Sequence, residues 1–444
     1  MKRHRWPLLA LLLTLALATM AAGCGGSDDD EGAAGTGATT AAGTTAESVS
    51  GTVSVMAVWT GPEQASFQAV LDGFKEANPD VTVNYTSAGD QLPTQLSTAV
   101  EGGNPPDIAV LPQPGLMRDF VQKKALKPLD FAQQDIQTNM GDSAIDLGSV
   151  DGQLYGFLFK AANKSTVWYN VAAFEDAGVE PPENWEDFLA AAKTINASGV
   201  PAYSIGGADG WTLTDLFENI YLRTAGPEKY DQLSTHDIPW TDQSVKDALT
   251  EMAKVVGDPK NIAGGTAGAL QTDFPTSVSN VFSASPKAAQ VIEGDFVAGA
   301  VETDLKPETD YNVFPFPAVG DSGPSVVGGG DTVVLFNDSP AAQALITYLA
   351  SADAAEIWAK RGGFATLNKE IDTSVYPDTI TETTAGALSE AEVFRFDLSD
   401  LQPAAFGGTV GQGLFKLFQD FLKNPDDVDG IAQQMETAAA KAFG

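Results

Sequence analysis

Thr52-Val-Ser-Val-Met-Ala-Val58, Val81-Thr-Val-Asn-Tyr85 and Asp107-Ile-Ala-Val-Leu111 decide the fold. Each is a short apolar or alternating run rich in β-branched residues, the signature of a strand. Between the first two, Pro62-Glu63 opens a helical pattern with Phe67, Val70, Leu71 and Phe74 on one face, and Asn78-Pro79-Asp80 turns the chain. Between the second and third, Leu92 to Val100 is helical and stops at Gly102-Gly103. Strand, helix, strand, helix, strand predicts a parallel α/β sheet. Ligands of such sheets bind at the carboxyl ends of the strands. Here those ends carry Trp59-Thr-Gly-Pro-Glu63, Ser87-Ala-Gly-Asp90 and Pro112-Gln-Pro-Gly115.

Downstream, Asn184 to Lys193 is helical after Pro181-Pro182, and Trp211 opens a helix after Gly210. Tyr311 to Phe314 and Asp331 to Phe336 read as strands. Ala341 to Ala359 and Asp429 to Phe443 read as helices. Upstream, Lys2, Arg3 and Arg5 precede an apolar run from Leu8 to Ala22, of signal-peptide length and short for a membrane span. It ends in Ala21-Ala22-Gly23-Cys24, which resembles a bacterial lipobox and makes Cys24 the expected lipidation site. A plain Ala-x-Ala signal with an incidental Cys is the other reading. Residues 25–50 hold Gly, Ala, Thr and acids, with Val49 the one bulky apolar residue. They predict a tether spanning about 28 Å.

The chain has 444 residues, 25 Lys+Arg against 59 Asp+Glu, and a net charge of −34. Such acidity argues against nucleic-acid binding, which needs clustered cations. One Cys excludes an intrachain disulfide and a Cys-rich metal site, and His236 is the one His outside the signal region. No metal and no cofactor is expected. Gly320-Asp-Ser-Gly-Pro324 has the form of a serine-protease nucleophile loop, but a base would have to come from His236, so it reads as a surface turn. Asp427-Val-Asp429-Gly430 with Glu436 imitates a calcium loop. Its first position is Pro425, so an Asp helix cap explains it better.

The order of segments from residue 51 to 444 resembles the extracellular solute-binding proteins of ABC importers, the family that includes the maltose-binding protein. The resemblance is carried by Val58-Trp59-Thr-Gly, Gly102-Gly-Asn-Pro-Pro-Asp107-Ile-Ala, Gly152-Gln-Leu-Tyr-Gly156 and Val167-Trp-Tyr-Asn170 with Phe174-Glu-Asp-Ala-Gly178. Pro182-Glu-Asn-Trp185, Ala288-Ala-Gln-Val-Ile-Glu-Gly294-Asp-Phe296 and Val327-Gly-Gly-Gly330 extend it. Arg395-Phe-Asp-Leu-Ser-Asp400-Leu-Gln-Pro403 is similar to a segment of the α-glucoside-binding branch.

The resemblance implies an α/β, two-lobed periplasmic-binding-protein-like fold with a hinge and an inter-lobe ligand cleft. Residues 1–23 would be the signal peptide and 24–50 the tether. Residues 51–160 and 313–362 would form lobe 1, and 161–312 and 363–444 lobe 2. The implied function is capture of a sugar, an α-glucoside or other oligosaccharide, and its delivery to ABC permease subunits without covalent chemistry. The chain would work as a monomer held by lipid at the outer face of the cell membrane. The competing classes are a lipid-anchored glycoside hydrolase, which needs a pair of flanking carboxyls, and a binding protein for another small ligand.

Sugar hydroxyls call for paired polar side chains, and sugar C–H faces for aromatic rings. The family pattern points to Trp59, Glu63, Asp90, Gln113, Lys160, Trp211, Glu293, Phe296, Gly330, Asp331, Phe364, Arg395 and Asp397 as ligand-binding residues. Glu63 and Asp90 also suit helix caps, while Trp168, Tyr169 and Trp185 sit in apolar patterns and read as core. In an extended segment, Arg395 and Asp397 would share one face and Phe394 and Phe396 the other.

Overall fold

The computed structural model describes residues 49–302 and 304–444. The expected signal peptide, Cys24 and the tether up to residue 48 lie outside them. Strands β1 (Gly51–Ala57), β2 (Val81–Ser87) and β3 (Ile108–Leu111) run parallel, with β1 in the middle. Val53, Val55 and Ala57 of β1 turn into one core at the strand period of two. Helix α1 (Gly61–Ala77) closes that core with Phe67, Val70, Leu71 and Phe74. Helices α2 (Leu92–Glu101) and α3 (Pro114–Gln122) cover the other face through Leu92, Leu96, Leu116, Met117 and Phe120. Each of these helices has a Pro in its first turn, where the missing N–H leaves no bond unmade.

A small hairpin, β4 (Ser149–Val150) and β5 (Gln153–Leu154), leads into β6 (Gly156–Asn163), buried along its whole length. The second sheet then forms from β7 (Thr166–Asn170), β8 (Tyr203–Ser204), β9 (Gln290–Ile292) and β10 (Tyr311–Pro315), in the order β10-β7-β9-β8. Trp168, Tyr169 and Trp185 are core residues here, as their patterns predict. The helix Trp211–Ser234 starts where expected and is interrupted at Gly226, just before Pro227.

The eleven-residue strand β11 (Ser325–Leu335) returns the chain to the first sheet. Its first half lies between β12 (Val393–Phe396) and the end of β6. Its second half pairs with β3 and with the start of β6. The β6–β11 ribbon joins two lobes with separate apolar cores, and its register slips between Asp331 and Thr332. The bulge turns the strand just where the cleft opens.

Three details differ from the sequence reading. β10, expected to re-enter the first lobe at residue 313, pairs along its full length with β7, and Phe314, Phe316 and Val319 pack in the second lobe's core. The chain crosses later, along β11. The last crossing also comes later than Gly362, because Phe364 still packs in the first core while Ile380 belongs to the second. The predicted helix 341–359 is two helices, Pro340–Leu349 and Ala352–Ala359, because the Ser351 side chain accepts from Ala354 N and caps a new start. Periodicity identifies elements but not their partners. Asp427 caps the C-terminal helix Val428–Phe443 through Gly430 N, at 3.1 Å. Ser322 Oγ accepts from Val319 N in a turn, and His236 pairs with Glu436 at 3.2 Å.

Candidate functional site

The loops after β1, β2 and β3 face the second lobe across a cavity of about 450 Å³. Trp59, Glu63, Asp90, Gln113, Lys160, Trp211, Phe296, Gly330 and Asp331 all line it. They come from seven separate places in the chain, so the fold assembles them.

The two hinge strands supply the centre. Lys160 of β6 stands opposite Asp331 of β11 in the register. Its ammonium makes an ion pair with Glu63, from the first turn of α1, and lies 5.3 Å from the Phe296 ring centroid and 5.5 Å from that of Trp358. Burial works against its charge, but Glu63 and Asp331 outweigh this and hold Lys160 above the usual lysine range. Burial pushes the Asp331 carboxyl up to about 6, with Lys160 opposing, and its Oδ2 accepts from Trp59 Nε1 at 2.7 Å. Trp59 is otherwise packed against Phe67 and Trp358, so it is both core and cavity wall. Burial also raises Asp295, behind Lys160, to about 7.

A second cation, Lys164, follows β6. Lys164 Nζ is 3.1 Å from Asp215 Oδ1, bonded to Asp397 Oδ2, and 3.7 Å from Asp400 Oδ2. Its stem crosses β11 at Gly329, where a Cβ would come 2.7 Å from Lys164 Cε. Burial alone would raise Asp397, but Lys164 and the hydrogen bonds around it bring that carboxyl down to about 2. Asp215 goes the other way, up to about 8, through burial. Each lysine is thus matched or outnumbered by its own carboxyls, and among the described residues no arginine lines the cavity.

The wall of the second lobe is aromatic. Trp211, Phe274 and Phe296 stand with ring centroids 5.2–5.9 Å apart, and Phe415 completes the wall. Gly210, at φ 96°, takes the left-handed conformation and lies against the Phe415 backbone, which leaves no room for a side chain. The helix therefore starts with Trp211 at the cavity. On the opposite side, burial lifts Asp90 to about 7, helped by the neighbouring Asp209 carboxyl. Gln113 is buried, donates to Gly408 O at 3.0 Å, and leaves Oε1 without a partner among the described residues.

Four expected residues are not brought to the cavity. Phe364 stacks on Trp358 inside the first core. Glu293 is buried beneath the second lobe's surface, close enough for Asp215 and Lys164 to act on its charge. Asp397 sits behind Lys164, where it also accepts from Ser399 Oγ at 2.8 Å and Asp400 N at 3.0 Å. Arg395 points away and pairs with Asp231 at 2.6 Å, partly exposed. The two-faced reading of its segment fails for the same reason. β12 is an edge strand, and Phe394 lies exposed over Gly328 while Phe396 is buried. Conversely, Lys164, Asp400, Phe274 and Phe415 line the cavity and were not foreseen. Lys164 follows the last residue of β6 and its carboxyl partners come from distant segments, so no local pattern signals it.

The model of the bacterial extracellular solute-binding protein family matches residues 59–356. The osmoprotective compounds-binding protein GgtB of Synechocystis is 36% identical over 370 residues, 82% of this chain and 87% of that protein. The alpha-glucosides-binding periplasmic protein AglE of Rhizobium meliloti is 34% identical over 379 residues, 82% of this chain and 81% of that protein. Among solved structures, the bacterial solute receptor AcbH, which has an exclusive substrate preference for β-D-galactopyranose, superposes with a TM-score of 0.78 at 20% identity, covering 88% of this chain and 99% of that one. The GacH receptor of Streptomyces glaucescens, solved unliganded and in complex with acarbose, gives 0.71 at 17% identity, covering 89% and 99%.

Proposed function

The chain belongs to the bacterial extracellular solute-binding protein family, and on that premise we propose that it captures an uncharged α-glucoside in its cleft and presents it to the permease of an ABC importer. It is a binding protein and performs no reaction on its ligand. The observation that carries the proposal is the cavity itself. An aromatic wall faces a row of carboxyls, and both lysines are already neutralised. Rings suit the C–H faces of a pyranose, and carboxylates accept its hydroxyls. Among the described residues, a ligand with its own negative charge would meet no free cation there. The relatives named for alpha-glucosides and for osmoprotective compounds support a small solute of this kind.

The protein acts as a monomer, anchored at the outer face of the membrane through a lipidated Cys24. Its first lobe runs from residue 51 to β6 and from the end of β11 to about residue 376. Its second lobe holds the rest, with the β6–β11 ribbon as the hinge. Capture then closes the lobes by rotation about that ribbon.

Calorimetric titration with maltose, trehalose and sucrose tests the ligand. At least one should bind with Kd at or below about 1 μM, near −8 kcal/mol, and be recovered intact. Glucuronic acid and glucose 6-phosphate should bind at least about 100-fold more weakly, since each brings an uncompensated charge into a carboxyl-rich cavity. Release of free glucose from the disaccharides would favour a hydrolase and sink the proposal. Separately, Cys24→Ser should move the protein from the membrane fraction to the soluble fraction. A Ser variant that stays with the membrane would mean another anchor.

A further inference from the structure

The segment Ser399–Gly408 belongs to the second lobe but touches the first. Its roots are in the second lobe. The Glu218 carboxylate accepts from Leu398 N at 2.7 Å and from Ser399 N at 3.0 Å. Leu398 and Phe406 are in that lobe's core, and the Phe406 ring stands edge-on to Trp240 at 5.5 Å. From there the segment reaches across the cleft to α3 of the first lobe, which has no side-chain cap of its own. Gly115 N in the first turn of α3 donates to Asp400 O at 2.8 Å. Arg118 Nη1 donates to Leu401 O at 2.9 Å, and Asp119 Oδ2 accepts from Ala404 N at 3.1 Å. Gln113 Nε2 adds a bond to Gly408 O at 3.0 Å.

These four bonds share one property. On the second lobe's side every partner is a backbone group, and on the first lobe's side every partner belongs to α3 or its N-cap. A shift of one lobe against the other breaks all four together. We propose that Ser399–Gly408 is a strap that fastens the two lobes in the arrangement described here, with α3 as its catch. This rests on the two-lobed binding-protein reading, but not on which sugar is bound.

Asp400 and Gly408 bring the strap to the ligand cavity, and Asp400 does so with a charged side chain. Its side chain lines the cavity and faces Lys164, while its own carbonyl holds the end of α3. A group that draws on the Asp400 carboxyl therefore acts on the residue that holds the catch. Asp400 is in this sense a positioning residue for closure, and Arg118 and Asp119 are the outer fastenings, away from the cavity.

The test measures lobe separation without any ligand. Spin labels are placed at two exposed positions, Glu76 on the first lobe and Lys193 on the second, by substitution to Cys in the full chain carrying Cys24→Ser. The unstrapped variant is Arg118→Ala with Asp119→Ala; the control is Lys360→Ala, an exposed first-lobe ammonium paired with Glu356 at 2.5 Å on its own helix. Pulsed electron double resonance should show, in the parent and in the control, a population at the label distance of this arrangement. In the double variant that population should fall about tenfold, the loss of about 1.4 kcal/mol, with unchanged far-ultraviolet circular dichroism. A population equal in the double variant and the parent, or absent from the parent, overturns the strap. Failure of the glucoside reading would appear elsewhere, as no heat of binding with any of the three disaccharides, so the two are told apart.

Discussion

Lys164→Met should lower the stability of the folded protein by about 3–5 kcal/mol, because breaking a buried ion pair from one side leaves charge without compensation. Lys164 is the cation held between Asp215, Asp397 and Asp400, and Met fills much the same volume without the charge. At the size of this chain, that loss corresponds to a drop of about 5 °C in Tm. The effect depends on pH, and its sign follows from the carboxyls. Asp215 is raised by burial to about 8, so the stability it contributes is complete in acid and is lost as pH rises through about 8. Asp397 is held down at about 2 against its burial by Lys164, so its contribution is present above the ordinary carboxylate range and lost as pH falls through about 2. Without Lys164, Asp397 joins the raised group. The deficit of the variant should therefore be largest at pH 7–8 and shrink toward pH 4–5, as the buried carboxyls take up protons. Denaturant unfolding at several pH values decides it. A deficit that is absent, or equal at pH 5 and pH 8, would show that Lys164 is not the counter-charge of this cluster.

Trp211→Ala should weaken glucoside binding by about 30-fold, near 2 kcal/mol, while leaving the fold intact. Trp211 lies at the first position of its helix, partly exposed and lining the cavity, and its ring is held by Phe274 and Phe296. Truncation removes contact with the ligand without emptying a core. Arg395→Ala is the matched contrast. Its ion pair with Asp231 lies at the surface outside the cavity, where such pairs are worth about 0–1 kcal/mol. Its Kd should stay within about twofold of the parent's. Calorimetric titration of both variants with the tightest of maltose, trehalose and sucrose reads the difference. A Trp211→Ala variant with parental affinity would remove the aromatic wall from the binding site.

Much of the cleft was legible because it follows from local pattern. The alternation of Val53, Val55 and Ala57, and the helical spacing of Phe67, Val70 and Phe74, fix a parallel sheet. The sheet then fixes which loops face a ligand, and with them Trp59, Glu63, Asp90 and Gln113. What was not legible depends on distant partners. Arg395 looked like a sugar ligand from its neighbours in sequence, but Asp231 claims it from another element. Lys164 showed nothing local of its importance, because its carboxyls come from residues 215, 397 and 400. The end of the second lobe was misplaced for the same reason. Tyr311 to Phe314 is a strand on any reading, yet only the partner β7 tells which sheet it joins.

The place of β11 also governs when the chain can finish folding. Ile108 of β3 pairs with Leu335, so the first sheet stays incomplete until the large second-lobe stretch between β6 and β11, and β11 itself, have been synthesised. Contacts this remote in sequence close slowly, since the intervening chain must lose its freedom before they form. A nascent chain therefore spends a long interval without its central strand. In a family of extracellular binding proteins such a delay favours export, because a chain that has not closed its central sheet is not yet locked into folded lobes.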